Sequence, residues 1–242
     1  GRFLTLDPLA TKYFAWSPYN YVLGNPVVFI DPDGKDAIVT IKGNVITIST
    51  TIYIYGDGAT AAVASQYKSD IDAKWSKQSS GANWTYTDSE TGVTYDVVFD
   101  TKVDLYEGKS KSSPFIIPES WNPYNTDNFI EVSASTDRSK VTLGDEGEWR
   151  SQGRGGATLA ADDPAPHEFG HLLGLDDRYT DKKGANPGWS GNIMGDNGIV
   201  EQKNINGIVG ESVKELNKAT KNGFDATKNE YKTKIDVAFP SN

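Results

Sequence analysis

The first regular stretch of hydrophobic residues in the chain is rich in β-branched and aromatic side chains. Residues Ala37–Ile41 and Val45–Tyr55 are rich in Val, Ile, Thr and Tyr, and Gly43-Asn44 lies between them. β-branched and aromatic residues interrupted by a two-residue Gly/Asn turn predict a β-hairpin. The same composition, bounded by turn residues, predicts further strands at Asn83–Thr87, Val93–Leu105, Phe129–Ser133, Glu148–Gln152 and Ala157–Ala160.

Apolar residues recur at intervals of three and four in three other segments. In the first of these segments, Tyr67, Ile71 and Trp75 fall on one face of a helix. The spacing predicts helices at Ala59–Gln78, at Asp163–Leu175 and within Ile199–Asn222. The predicted order of elements along the chain is strands, a helix, further strands, a helix, an irregular loop and a last helix. This order predicts an α+β fold.

The first 35 residues differ in pattern from the rest. Asp7-Pro8, Ser17-Pro18 and Asn25-Pro26 interrupt a segment rich in aromatic residues, and helical periodicity is absent from it. Such dipeptides favour turns between short strands or an extended surface segment. We therefore predict a boundary near Asp36, with one domain over residues 1–35 and a second over residues 36–242.

Charge and composition exclude several classes of function. The 242 residues carry 33 acidic and 24 basic side chains, which give a formal net charge of −9 and a pI near 4.8. This balance argues against binding to nucleic acid or to an anionic membrane surface. No apolar run approaches the ~20 residues of a membrane-spanning helix, and Gly1-Arg2-Phe3 does not resemble the start of a signal peptide. The absence of Cys excludes disulfides, thiolate nucleophiles and cysteine-based zinc sites.

The chain has two histidines, and they lie four residues apart in the second predicted helical segment. On a helix with ~100° per residue, His167 and His171 lie about 40° apart on one face, and Glu168 flanks them. Two imidazoles one turn apart can bind one zinc ion, and the Glu between them can reach a zinc-bound water. This spacing predicts a zinc site with Glu168 beside it.

The residues around this helix predict where it begins and ends. Asp163-Pro164 is a typical helix start, because Pro in the first turn loses no helical hydrogen bond. Gly174 can end the helix and turn the chain back towards the metal. Asp177 would then supply a third ligand, and the adjacent Asp176 is an alternative third ligand on spacing alone.

The pattern His167-Glu168-x-x-His171-x-x-Gly174-x-x-Asp177 is similar to the extended zinc motif of the metzincin peptidases, in the variant with Asp in place of the third His. That family has a Met-containing turn beneath the metal, and Met194, the single Met of the chain, follows Asp177 by 17 residues. The resemblance implies a zinc metalloendopeptidase with a mixed twisted sheet, an active-site helix, a Met-turn and a C-terminal helix. Tyr179 is expected either to form an aromatic wall or to point at the site.

Zinc chemistry implies roles for the remaining groups. Zinc with three protein ligands keeps a position for water, and Glu168 is expected to accept a proton from that water and pass it to the leaving amine. The resemblance to the metzincins also implies that the substrate lies extended along a strand edge that precedes the active-site helix, at Glu148–Gln152 or its neighbour. Arg150 and Arg154, near that edge, are expected to be solvated.

The N-terminal segment has a resemblance of its own. Its Pro-containing turns, Trp16–Tyr21 and the closing Ile30-Asp31-Pro32-Asp33-Gly34 resemble the end of the Rhs/YD-repeat core, the shell that encloses polymorphic toxins. In that family the closing element marks the boundary to the C-terminal effector, often near an autoproteolytic cut. Asp31, Asp33 and Gly34 are therefore a candidate processing boundary. Lys35 stands where the family has Leu, which argues against self-cleavage.

Together the two resemblances imply a peptidase effector that is released from an Rhs shell and is secreted or delivered into a target cell. Its implied partners are a protein substrate and a cognate immunity protein. Two other interpretations stay open: a secreted zinc peptidase with a processing or digestive role, and a non-catalytic binding module on the same fold. Glu168 argues against the binding module, because such a module has no need of a general base.

Overall fold

The computed structural model describes residues 37–106, 127–134, 139–141 and 146–235. Over these residues the fold is α+β, as predicted, with a curled mixed sheet and few helices. The strands in this part of the chain are β1 (Ala37–Lys42), β2 (Val45–Tyr55), β3 (Trp84–Thr87), β4 (Thr94–Leu105), β5 (Asp127–Ser133), β6 (Lys140–Val141), β7 (Glu146–Arg150), β8 (Tyr179–Thr180), β9 (Gly184–Ala185) and β10 (Tyr231–Ile235). The α-helices are α1 (Ala61–Trp75), α2 (Ala165–Leu172), α3 (Ile193–Asp196) and α4 (Gln202–Lys221).

Strand β2 is the centre of the sheet, because three other strands pair with it. Strand β4 runs parallel to it along one edge. The other edge is shared: β1 pairs antiparallel with Val45–Ser49, and β5 pairs parallel with Thr51–Tyr55. The sheet continues through β1 to β10 and through β5 and β7 to β6, while β3 pairs with β4. Strands β8 and β9 form a separate two-stranded sheet.

The hydrophobic core lies between one face of the large sheet and the helices. Alternate residues of β2 are buried, which explains the period of two in its sequence. Ile46, Ile48, Ile52 and Ile54 supply this face, and each is at most 1% exposed. The buried residues that the helices contribute include Tyr67, Ile71 and Trp75 from α1, Phe169 and Leu172 from α2, and Ile205, Val209, Val213 and Leu216 from α4.

Helix α1 supports the start of α2. The Oγ1 atom of Thr60 caps α1 by accepting a hydrogen bond from the Val63 N–H at 3.2 Å. At the other end of α1, the indole N–H of Trp75 donates to the carbonyl of Pro166 at 2.8 Å. The Trp75 ring also packs edge to face on Phe169. Since Pro166 and Phe169 flank His167, α1 positions the segment that carries the predicted metal ligands.

Helix α4 packs along the far side of this core. It has 20 residues, and its apolar positions recur on one face, as the sequence predicts. Its first turn carries a capping box, in which Glu201 and Asn204 exchange hydrogen bonds with each other's backbone N–H groups. In the described part of the chain, none of the helices is long and apolar enough to cross a membrane.

One predicted strand is wrong. Residues Ala157–Ala160 do not form a strand, and two 3₁₀ turns, Arg154–Gly156 and Leu159–Ala161, occupy this region instead. Gly155 and Gly156 adopt φ angles of 61° and 84°, which lie in the left-handed region and interrupt an extended backbone. Apolar composition alone does not reveal such a turn.

The predicted strand Glu148–Gln152 is displaced towards the N-terminus, as β7. Strand β6 pairs with Gly147 and Glu148 of β7. In the described part of the chain, the outermost strand on this side of the sheet is therefore β6, the neighbour of the strand that was predicted as the edge. Arg150 is not solvated as expected but only 5% exposed. Its Nη1 donates to Asp162 Oδ2 at 3.1 Å and to the Gln152 carbonyl at 3.2 Å, which compensates its burial.

Strand β10 was not assigned from the sequence. It pairs antiparallel with β1 over five residue pairs, from Ala37 opposite Ile235 to Ile41 opposite Tyr231. Thr233 Oγ1 donates to Ser212 Oγ of α4 at 2.6 Å, which also ties the strand to the helix. The sequence of β10, Tyr-Lys-Thr-Lys-Ile, has few apolar residues. Pairing with β1 therefore decides its conformation.

Candidate metal centre

Helix α2 carries both histidines and buries most of its side chains. Asp163 lies before the helix, and its Oδ1 accepts a hydrogen bond from the Ala165 N–H at 2.8 Å. This contact satisfies one of the free N–H groups of the first turn, as Asp163-Pro164 predicts. His167 and Glu168 are 7% and 6% exposed, so the reactive face of the helix is turned into the protein.

The helix ends where Gly174 predicts. Gly174 has a φ of 76°, and its N–H donates to the His171 carbonyl at 2.9 Å. The N–H of Leu175 donates to the Gly170 carbonyl at 3.0 Å. This pair of bonds with a left-handed glycine is the Schellman arrangement, which reverses the chain after a helix. The reversal brings Asp177 back to the histidine face.

The structure brings together the three side chains predicted as metal ligands. Oδ1 of Asp177 lies 3.1 Å from Nε2 of His167 and 3.4 Å from Nε2 of His171. Among the described residues, these form the one group of three or more His, Asp or Glu side chains whose ligand atoms all lie within 4.8 Å of one another. The neighbouring Asp176 is not part of this group, and its carboxylate lies 3.8 Å from Nη2 of Arg178.

Backbone carbonyls orient both imidazoles. Nδ1 of His167 lies 2.7 Å from the carbonyl oxygen of Ile193, and Nδ1 of His171 lies 2.7 Å from that of Leu175. A carbonyl only accepts, so each Nδ1 is the donor in these contacts, and each Nε2, which faces Asp177, is the ring atom that is placed to bind a metal. Two imidazole nitrogens and one carboxylate oxygen form a donor set that suits zinc. The residues present therefore fit a zinc ion.

The three side chains also shift one another's proton affinity. Burial raises the pKa of the Asp177 carboxyl, but the two imidazoles outweigh burial and hold that pKa well below its usual range. Burial lowers the pKa of His171, whereas the hydrogen bond to Asp177 and the charge of Glu168 more than reverse this, so the pKa is raised. Asp177 is thus ionised near neutral pH, as a metal ligand must be.

A cleft of about 240 Å³ opens beside His167, one of the three predicted ligands. Its lining includes His167 and Glu168 from α2, together with Ser139, Arg150 and Arg154. Glu168 therefore lies on the wall of an open space next to the predicted ligand His167. The placement is compatible with the predicted role of a general base, which must reach a water or a substrate.

Two arginines on the cleft wall are held by one carboxylate. Arg154 donates to Asp162 through Nε at 3.0 Å and through Nη2 at 2.9 Å, and the buried Arg150 reaches the same carboxylate. These contacts, the one from the Arg154 side chain above all, hold the pKa of Asp162 well below its usual range. The Arg154 side chain keeps 64% of its surface exposed, as expected, and lies on the rim of the cleft.

Met194 lies against the helix that carries the ligands. It is fully buried, and a Cβ atom added at Gly170 would collide with its Sδ and lie 3.1 Å from its Cε. Helix α3, which contains Met194, follows a turn capped by Asn192, whose side chain accepts from the Met194 N–H. The ring centroid of Tyr179 lies 5.9 Å from that of His167, so Tyr179 forms an aromatic wall next to this ligand.

Sequence reasoning did not find the groups that orient the ligands. The carbonyls of Ile193 and Leu175 carry no signal in the sequence, because every residue has a carbonyl. Gly170 does carry a sequence signal, since a Gly inside a buried helix suggests close packing.

The candidate processing boundary, Asp31, Asp33 and Gly34, and the predicted division at residue 35 lie outside the described residues.

No family model, curated protein or solved structure matches the chain. A functional conclusion therefore depends on the motif and on the arrangement of these side chains.

Proposed function

We propose that the chain is a zinc-dependent endopeptidase with a metzincin-like fold. One observation supports this most strongly: the Nε2 atoms of His167 and His171 and the Oδ1 atom of Asp177 converge beside a cleft that Glu168 lines. Met194 beneath α2 and the turn at Gly174 add to this support, because both occupy the places that the metzincin motif implies.

In this proposal His167, His171 and Asp177 hold the zinc. When bound, zinc supplies Lewis acidity, which makes water more acidic and polarises the carbonyl of the peptide bond. The ionised Asp177 offsets part of the metal's charge, and the Ile193 and Leu175 carbonyls orient both imidazoles so that each Nε2 faces Asp177. The protein's own contribution at this step is therefore a set of ligand atoms that is already gathered and oriented.

In this proposal Glu168 transfers the proton. Its carboxylate takes the proton of the attacking water and later delivers it to the nitrogen of the departing amine, so that the peptide bond is hydrolysed with no net change in the protein. Its position on α2, one residue after His167 and on the cleft wall, supports this role. Trp75 supports the same segment from behind, through its hydrogen bond to Pro166.

The substrate in this proposal is an extended peptide at the edge of the sheet. Strand β6 ends the described sheet order on the side of the cleft, and Ser139, the residue before β6, lines that cleft. A peptide that adds to this edge would use its backbone hydrogen bonds for affinity and would pass beside Glu168.

The biological setting that we propose is a toxin. Residues 1–34 resemble the end of an Rhs core, and a peptidase that follows such a core would be released from the shell and delivered into a target cell. The cell that makes such a protease must be protected from its activity. We therefore propose the enclosing shell and a cognate immunity protein as its partners.

The decisive experiment compares the wild-type chain with Glu168→Gln. Both proteins should contain about one zinc per chain, while the variant should lose nearly all cleavage of target-cell proteins, because an amide cannot accept the proton. Metal analysis and mass-spectrometric detection of new N-termini measure the two properties. Glu211→Gln, on the exposed face of α4, is the matched control and should cleave like the wild type.

Metal-ligand variants complete the test. His171→Ala and Asp177→Ala should lose zinc, and Asp176→Ala should retain it. Near-normal cleavage by Glu168→Gln would reject the proposed base. Full zinc content in His171→Ala would reject the proposed metal centre.

A further inference from the structure

The two histidines of the metal centre are held in different ways. The Nδ1 atom of His171 meets the carbonyl of Leu175, four residues along the same helix end. The Nδ1 atom of His167 meets the carbonyl of Ile193, which is 26 residues away and belongs to α3. The orientation of His167 therefore depends on whatever holds the Ile193 peptide group in place.

A buried pair of amide side chains lies directly behind Ile193. Asn192 and Asn204 are both 0% exposed, and they form reciprocal hydrogen bonds. Nδ2 of Asn192 donates to Oδ1 of Asn204 at 2.8 Å, and Nδ2 of Asn204 donates to Oδ1 of Asn192 at 3.2 Å. Such a pair fixes two chain segments against each other, because separating it would leave buried polar atoms without partners.

The same two side chains are anchored in both directions. Towards the metal, Oδ1 of Asn192 also accepts from the Met194 N–H at 2.9 Å, so Asn192 holds the peptide group that contains the Ile193 carbonyl. Away from the metal, Oδ1 of Asn204 accepts from the Glu201 N–H at 2.9 Å, and Nδ2 of Asn192 donates to Glu201 Oε2 at 2.6 Å. An uninterrupted series of hydrogen bonds thus connects the first turn of α4 with the imidazole of His167.

We propose that Asn192 and Asn204 are positioning residues for the metal centre: they fix the Ile193 carbonyl, which accepts from Nδ1 of His167 and so orients its Nε2 towards the other two ligands. This inference rests on the proposed function and adds to it a second set of residues, remote from the ligands, on which zinc affinity depends. Groups that orient a ligating imidazole typically change metal affinity by about 10–100-fold when they are removed.

The chain offers a matched control for this role. Asn217 lies on the same helix α4, is 7% exposed and also uses its amide to bridge two segments. Its Nδ2 donates to Asp88 Oδ2 at 2.8 Å, in the loop between β3 and β4, and not to α3. Asn204→Leu and Asn217→Leu therefore remove comparable buried hydrogen bonds, but only the first removes support for Ile193.

The test measures zinc affinity of the full chain by competition with a chelator, and the Nδ1–H signals of both histidines in the zinc-loaded chain by ¹⁵N NMR. Asn204→Leu should bind zinc about 10–100-fold more weakly, and the Nδ1–H signal of His167 should shift while that of His171 stays in place. Asn217→Leu should lower the melting temperature with zinc affinity within about twofold of wild type. Equal zinc affinity in the two variants, or an unchanged Nδ1–H signal of His167 in Asn204→Leu, would overturn the proposal.

A second variant keeps the test decisive if Asn204→Leu does not fold. Asn192→Ser retains an oxygen for the Met194 N–H but loses both donations from Nδ2, and it should weaken zinc binding in the same direction. If neither variant folds while Asn217→Leu does, the pair is required for folding and the positioning role is rejected. Neither readout uses peptide cleavage. A chain that binds zinc but cleaves nothing would reject the proposed function and leave this inference standing.

Discussion

Gly170 lies where α2 crosses Met194, and a side chain there has no room. We expect Gly170→Ala to destabilise the protein by about 1–3 kcal/mol, because the added methyl group overpacks a closed core. Gly210→Ala is the matched control: Gly210 also lies inside a helix, and the nearest atom to an added Cβ is Tyr86 Oη at 3.8 Å. That change should be neutral or stabilising by up to about 1 kcal/mol, as for Gly to Ala in a helix.

Chemical denaturation of the two variants measures both effects. Met194→Ala should reduce the cost of Gly170→Ala when the two changes are combined, since it removes the atoms in conflict. Additive costs in the double variant would mean that Met194 does not pack on Gly170.

Asp163 makes stability depend on pH. Burial, assisted by the neighbouring Asp70 and opposed by the Ala165 N–H and by Arg150, raises the pKa of its carboxyl from 3.8 to about 8. Between these two values the folded state binds more protons than the unfolded state, so the free energy of unfolding falls as the pH rises from about 4 to about 8.

We therefore expect Asp163→Asn, which keeps an acceptor for the Ala165 N–H, to be more stable than the wild type at pH 8. The decrease in the free energy of unfolding between pH 5 and pH 8 should shrink by at least about 1 kcal/mol in this variant. Asp100→Asn, on the exposed side of β4, serves as the control. Denaturation at several pH values measures the difference, and parallel pH profiles of wild type and Asp163→Asn would contradict the prediction.

Among the elements, α1 and α2 meet at Trp75, and this contact links stability to the metal site. Trp75→Phe removes the hydrogen bond to the Pro166 carbonyl and leaves a cavity, so it should cost about 2–4 kcal/mol. Because Pro166 precedes His167, zinc affinity should fall as well.

Trp84→Phe separates the effect on stability from the effect on zinc affinity. Trp84 is also buried, and its indole N–H donates to the Trp75 carbonyl at 2.7 Å rather than to α2. Its replacement should lower stability but leave zinc affinity close to that of the wild type. Denaturation and chelator competition on both variants distinguish the outcomes. Equal zinc affinities in Trp75→Phe and Trp84→Phe would show that α1 does not position the ligands.

For the whole molecule, we expect residues 36–242 to keep zinc binding after residues 1–35 are removed. The described core begins at Ala37, in a strand that pairs with β2 on one edge and β10 on the other. Zinc content and melting temperature close to those of the full chain would confirm the predicted boundary. Failure of the shortened chain to fold would place the N-terminal segment inside the catalytic domain.

The shortened chain also tests the proposed setting. Expressed inside a bacterium, residues 36–242 should inhibit growth, and the Glu168→Gln form should not. Harmless expression of an active, zinc-loaded fragment would favour a processing or digestive peptidase over a toxin.

The sequence by itself determined the elements whose signal is local. The Val, Ile, Thr and Tyr residues of Val45–Tyr55 predicted β2, because β-branched and aromatic side chains pack well on a pleated sheet. The spacing of His167 and His171 placed both imidazoles on one face, since helix geometry fixes the angle between them. The left-handed turn at Gly174 likewise needs only a residue without a Cβ.

Tertiary structure decided everything that depends on residues distant in the chain. Spacing left Asp176 and Asp177 open as third ligands, and only the path of the backbone after Gly174 brings Asp177 to the histidines. Strand β10 has no strong pattern and is ordered by β1. The Ile193 carbonyl, which orients His167, lies on another element. Hydrogen bonds and packing of this kind join segments whose distance in space cannot be read from local periodicity.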